Sequence, residues 1–149
     1  MKKKTDYIWV VVILLFIVGC ASISSVPLEE RHSEIVIENL NKGKDELYDI
    51  TLEWMAKVFN NSKSVIEVKD KDRGKIIGKG YWIVTGFGNS GVTFTLTFSI
   101  KENKIRGQFE NYQCPANEKW AIDKSELKAI ELMDDLKTYI NKDNDDDNW

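Results

Sequence analysis

From Val92 to Ile100 the chain reads VTFTLTFSI, with Val92, Phe94, Leu96, Phe98 and Ile100 alternating without a break against Thr93, Thr95, Thr97 and Ser99. Successive side chains of an extended chain point to opposite faces, so this is a strand with one buried and one wet face. KENK turns the chain, and Ile105 to Tyr112 (IRGQFENY) returns, placing Ile105 and Phe109 on the core side and Arg106, Gln108, Glu110 and Tyr112 opposite. The two strands predict a hairpin. Upstream the period changes. In KDELYDITLEWMAKVFNN, Lys44 to Asn61, Leu47, Ile50, Trp54 and Val58, with Thr51, Met55 and Phe59 beside them, follow the spacing of an amphipathic helix. Asp45 and Glu46 occupy its first turn, where negative charge favours the positive end of the helix dipole.

Shorter patterns fill the intervals. SEIVIENL, Ser33 to Leu40, is a β-branched run that predicts a first strand, and VIEVKD (Val65 to Asp70), a KDRG turn containing Gly74, and KIIGKGYWIV (Lys75 to Val84) predict two more. Gly78 and Gly80 inside the last of these point to a bulge or a close backbone approach. They do not make a phosphate loop, which needs Gly, four residues, then Gly-Lys-Ser/Thr ahead of a helix. A second helix is expected from Asp123, because D-K-S-E offers a capping carboxylate and Glu126 three residues on, with Ala129, Leu132, Met133, Leu136 and Ile140 as its apolar stripe. NKDNDDDNW closes the chain; it lacks the Gly and Glu that a calcium loop requires at its sixth and twelfth positions. An acidic, disordered tail is expected there.

Strand, helix, four strands, helix, with wet outer faces on the hairpin, predicts an α+β two-layer sandwich. Its antiparallel sheet of about five strands (order β-α-β-β-β-β-α) carries both helices on one face. The ordered set LYDITLEWMAKVF, SVIEVKDKDRGKIIGKGYW, TFTLTFSIKENKIRGQFENY and a trailing helix, from about Glu34 to Ile140, resembles a bacterial family, domain-of-unknown-function family 4468, described as having a TATA-binding-protein-like fold. The resemblance implies architecture. It does not transfer DNA binding, because fold alone does not license function.

The first thirty residues bear on compartment. Lys2, Lys3 and Lys4 precede an apolar run of eleven residues, Ile8 to Val18, followed by Gly19-Cys20. That length lies within the roughly 7–15 residues of a signal core and short of the ~20 that span a bilayer. Ile17-Val18-Gly19-Cys20 resembles the lipobox of bacterial lipoproteins, with Ile in place of the commoner Leu. The resemblance implies cleavage before Cys20 and acylation of its sulfur and new amino terminus. Two or more buried chains hold firmly where one binds reversibly. Expected partners therefore begin with a lipid bilayer. Ala21 stands where an aspartate, by resemblance to a sorting rule, would mark inner-membrane retention, so the expected location is the cell envelope, at the outer membrane facing the periplasm. The layout is then a signal peptide at 1–19, a lipidated spacer at 20–32, an α+β domain at 33–141 and an acidic tail at 142–149.

Cleavage would change the charge balance from 21 basic and 24 acidic residues to 18 and 23, a net of −5. An acidic protein outside the cytoplasm is a poor nucleic-acid partner, since such binding rests on neutralising phosphates. With Cys20 acylated, Cys114 has no intrachain partner and is expected to be buried and inert. His32, the only histidine, lies at the domain's edge, and one His with one free Cys supplies too few soft ligands for a metal set. No catalytic set, metal or cofactor is expected; Glu67 and Asp70 are the nearest approach to an acid–base pair. The candidate binding face is the polar side of the hairpin, Thr93, Thr95, Thr97, Arg106, Gln108, Glu110 and Tyr112, with an envelope protein, peptide or glycan as its partner. A plain solvated face competes with that reading, because threonine suits strands in any case. Association of edge strands into a homo-oligomer is the alternative.

Overall fold

A computed structural model describes residues 31–59, 65–86, 88–115 and 119–146. The lipobox, Cys20, most of the spacer and Trp149 lie outside them. Strand β1 spans His32–Ile37, helix α1 Lys44–Val58, β2 Val65–Asp70, β3 Lys75–Thr85, β4 Asn89–Lys101, β5 Lys104–Gln113 and helix α2 Lys119–Asp146. The five strands form one antiparallel sheet in the order β1-β5-β4-β3-β2, so only β1 crosses over, to pair with β5.

Alternation on β4 builds the core as its sequence requires. Val92, Phe94, Leu96, Phe98 and Ile100 are all buried, and α1 and α2 cover that face. Trp54 of α1 meets Phe98 edge-on at 6.1 Å between centroids, while Met133 of α2 sits directly over Gly107 of β5. The helices are tied together by the Trp54 indole, which donates to Asp135 Oδ2 at 2.8 Å. Two buried hydroxyls satisfy themselves within a helix: Thr51 Oγ1 donates to the Leu47 carbonyl at 2.6 Å and Ser125 Oγ to that of Ala121 at 2.8 Å. Ser125 also accepts from the Trp82 indole at 3.0 Å, fixing α2 to β3.

Several expectations need correction. α2 begins one turn before Asp123, since Ala121 and Ile122 are completely buried and the apolar face starts with them. Asp123 is thus an interior residue paired with Lys119 at 2.7 Å, not a cap. The same helix continues to Asp146, through the first part of the expected tail; no glycine or proline intervenes to stop an established helix. α1 ends at Val58, which is 40% exposed, and Tyr48 takes a place in its buried stripe that the spacing argument missed. β1 stops at Ile37, because Asn39 and Asn41 adopt left-handed backbone (φ 62° and 53°).

Those asparagines let the segment after β1 clasp the β4–β5 hairpin. Leu40 N donates to Asn103 O at 3.2 Å and Asn103 N to Lys42 O at 3.0 Å. At the neighbouring turn Gly74 has φ 61°, and a Cβ there would lie 2.2 Å from the Ile100 carbonyl oxygen. The expected anomaly at Gly78 and Gly80 divides in two. The bulge falls on the partner strand, at Glu67 of β2, while Gly80 is a close approach: a Cβ would lie 2.1 Å from Phe94 Cζ. That space is filled by Phe94, whose ring stacks on Trp82 at 3.9 Å.

Candidate functional site

With both helices on one side, the other side of the sheet has no covering layer among the described residues. Registers between strands assemble it into rows. Val36, Arg106, Ser99 and Lys75 make one; Glu34, Gln108, Thr97 and Ile77 the next; His32, Glu110, Thr95 and Lys79 the third. Tyr81 stands opposite Thr93 beyond them. The face therefore carries mainly charge on β1 and β5, hydroxyls along β4, and a mixture on β3 and β2, where Lys75, Lys79 and Glu67 stand among Ile77, Ile83 and Val68, the last two 53% and 40% exposed.

The structure brings together six of the seven residues expected on this face: Thr93, Thr95, Thr97, Arg106, Gln108 and Glu110 all lie on it, exposed or half-buried. Tyr112 does not. The β4–β5 register slips between Thr93 and Thr95, and Asn111 takes up a left-handed φ of 56°. A bulge inserts one unpaired residue and reverses the alternation after it, so Glu110 and Asn111 are both exposed and Tyr112 turns into the core with no exposed surface. Its hydroxyl donates to Ser33 Oγ at 3.2 Å. Burial disfavours the phenolate and pushes the Tyr112 pKa up to about 12; the Ser33 contact opposes this and the nearby Glu126 charge adds to it.

Charge on the face is partly committed. Gln108 Nε2 donates to Glu34 Oε2 at 3.0 Å, and Arg106 Nη1 stands 3.9 Å from the same oxygen. Glu67 pairs with Lys79 at 2.9 Å, whereas Asp70 accepts from the Arg73 amide at 3.0 Å, so these two carboxylates serve different partners. Cys114 is buried and free. Among the described residues no three His, Cys, Asp or Glu side chains come together as metal ligands, and no helix is long and apolar enough to cross a membrane.

One end of the face is hollow. Glu34, Val36 and Glu38 from β1 and its exit, Ser99 and Lys101 from β4, and Lys104 and Arg106 from β5 line a groove of about 280 Å³. Sequence contained part of this: continuing the β4 alternation past Ser99 puts Lys101 on the same side as Thr97. The β1 wall was not legible, because Glu34 meets Gln108 across 74 positions of chain.

Two solved structures share the architecture. A TBP-like protein from Parabacteroides distasonis superposes with a TM-score of 0.60 at 10% identity, covering 77% of this chain and 96% of that one. A DUF4468 family protein from Bacteroides ovatus gives 0.51 at 14% identity, over 82% and 90%. No curated protein matches the chain. Likeness at such identities speaks for the fold alone, and a sequence model of the family, a domain of unknown function with TBP-like fold, matches residues 34–114, more than half of the chain. The chain therefore belongs to the DUF4468 family, whose TBP-like fold its five-stranded open sheet displays.

Proposed function

We propose that this chain is a lipoprotein of the cell envelope, anchored through Cys20 at the outer membrane and facing the periplasm, whose domain is a non-catalytic binding module. Its uncovered sheet face holds an envelope protein, peptide or glycan. One observation carries the reading: among the described residues a whole sheet face, five strands wide, has no covering layer, and it gathers the hydroxyls of Thr93, Thr95, Thr97 and Ser99 between charged residues of β1 and β5 on one side and of β3 on the other.

Photo-crosslinking residues placed at Thr95, Thr97 and Lys79 of the lipidated protein in its own envelope test this, with Lys137 on the outer side of α2 as the control. The expected result is one adduct shared by the sheet positions and absent from Lys137, lost when Thr97→Lys is added. Adducts equally frequent on both sides would overturn it.

A second reading, a homo-oligomeric structural component, draws on the edges. β2 carries a bulge and Lys69, features that discourage edge pairing, whereas β1 is regular, has no proline and offers six residues of backbone. Light scattering from the full-length protein in detergent distinguishes the two: a mass above one chain per micelle supports pairing, and a single chain removes it.

A further inference from the structure

The groove at the end of the open face is built to separate charges. Lys101 and Lys104 sit opposite each other at the foot of the hairpin, and Arg106 follows on the same face of β5. Across from them stand Glu34 and Glu38. Glu34 is engaged by Gln108 at 3.0 Å and approached by Arg106 only at 3.9 Å. Lys101, Lys104 and Glu38 make no ion pair with any described residue, although all three line the same hollow. Opposite charges thus line one groove without pairing, and Val36 and Ser99 complete its lining.

Its volume, about 280 Å³, corresponds to about nine waters at ~30 Å³ each. It lies just under the roughly 300–1,000 Å³ of ordinary small-ligand sites. A head group fits; a folded partner does not enter. Three separate cationic donors with the Ser99 hydroxyl match the several acceptor oxygens of a tetrahedral phosphate. A planar carboxylate would be satisfied by the Arg106 fork alone. Glu38 on the far wall repels a polyanion and accepts from an N–H donor.

Resting on the reading of the sheet face as a binding surface, and sharpening it, we infer that this groove binds a phosphate that carries a primary ammonium a few bonds away, a phosphoethanolamine-type zwitterion. The phosphate sits among Arg106, Lys101, Lys104 and Ser99, and the ammonium donates to Glu38. The same chemistry is offered by a free phosphorylated amine and by a phospholipid head group.

Calorimetric titration of the full-length protein in non-ionic detergent compares O-phosphoethanolamine, phosphocholine, inorganic phosphate and ethanolamine, with phosphatidylethanolamine in mixed micelles as a fifth arm. O-phosphoethanolamine or its lipid form is expected to bind at about 1 mM or tighter. It should bind about tenfold more tightly than phosphate or phosphocholine, whose quaternary nitrogen cannot donate to Glu38. Binding of the micellar form only identifies the lipid as source, and binding of the free form identifies the soluble amine. Lys101→Ala with Lys104→Ala should weaken every phosphate about tenfold or more. Glu38→Gln should weaken the zwitterion while leaving inorganic phosphate unchanged or tighter, a split that a general structural defect does not produce. Equal affinities for phosphate and the zwitterion, a Glu38→Gln effect equal on both, or no heat from either zwitterion would overturn the inference. If sheet-face crosslinks persist in the Lys101/Lys104 variant while zwitterion binding is absent from the wild type, the groove assignment fails and the broader binding face stands.

Discussion

Tyr112 shows how one side chain can be placed by a neighbour's backbone. Asn111 adopts a conformation that asparagine tolerates better than most residues, and the ring beyond it enters the core instead of the open face. Because the phenol titrates near 10 in an unfolded chain and at about 12 in the folded one, the unfolded state holds fewer protons between those values. Stability contributed by the neutral ring is therefore complete below pH 10 and falls as pH rises toward 12. Denaturant midpoints measured from pH 9 to 12 should drop less steeply for Tyr112→Phe than for the wild type. Gly80 makes a complementary point. The Phe94 ring occupies the place of its missing side chain, so Gly80→Ala should destabilise by about 1–3 kcal/mol, read as a lowered urea midpoint with an unchanged slope. An unaltered midpoint would mean that the Trp82–Phe94 stack can shift at no cost.

At the scale of elements, the patterns that read correctly were those whose periodicity was long or whose ends carried a turn residue. β2 matches its expected span of Val65 to Asp70, because Gly74 fixes the turn after it, and the bounds of β4 and β5 differ from expectation by no more than a few residues at either end. The start of α2 was misplaced because a capping box is a local pattern, and local patterns yield when an extra turn buries Ala121 and Ile122. The bulge in β5 was invisible for a similar reason: IRGQFENY alternates acceptably in one register, and only pairing with β4 shows where the extra residue sits. Asn111→Val, whose branched side chain does not tolerate the left-handed backbone, should straighten the strand into simple alternation, driving Tyr112 outward and Gln113 inward. Loss of a buried aromatic and burial of an amide together predict destabilisation of about 3–5 kcal/mol. Thermal melting checks this, with Asn111→Gly, which keeps the left-handed turn, expected to stay close to wild type.

For the whole molecule, the tether and the sheet face belong to one proposal. Cys20→Ser removes the thiol that acylation needs, so the variant should leave the membrane fraction after carbonate washing of envelopes while the domain retains its wild-type melting temperature. Retention in the membrane would show that the apolar run itself is the anchor.

Sequence by itself determined the layer architecture and most of the polar face, since an alternation of period two with one side threonine and the other phenylalanine can bury only one way. It also assigned Thr93, Thr95, Thr97, Arg106, Gln108 and Glu110 to a common side. Tertiary structure alone decided which strands are neighbours, that Tyr112 leaves the face, and that Glu34 and Glu38 come to face Lys101, Lys104 and Arg106 across a groove. The physical reason is range. Periodicity records how a segment meets a core, but pairing β1 with β5 joins residues from 68 positions apart, at Ile37 and Ile105, to 78, at His32 and Glu110, and no local pattern encodes that contact.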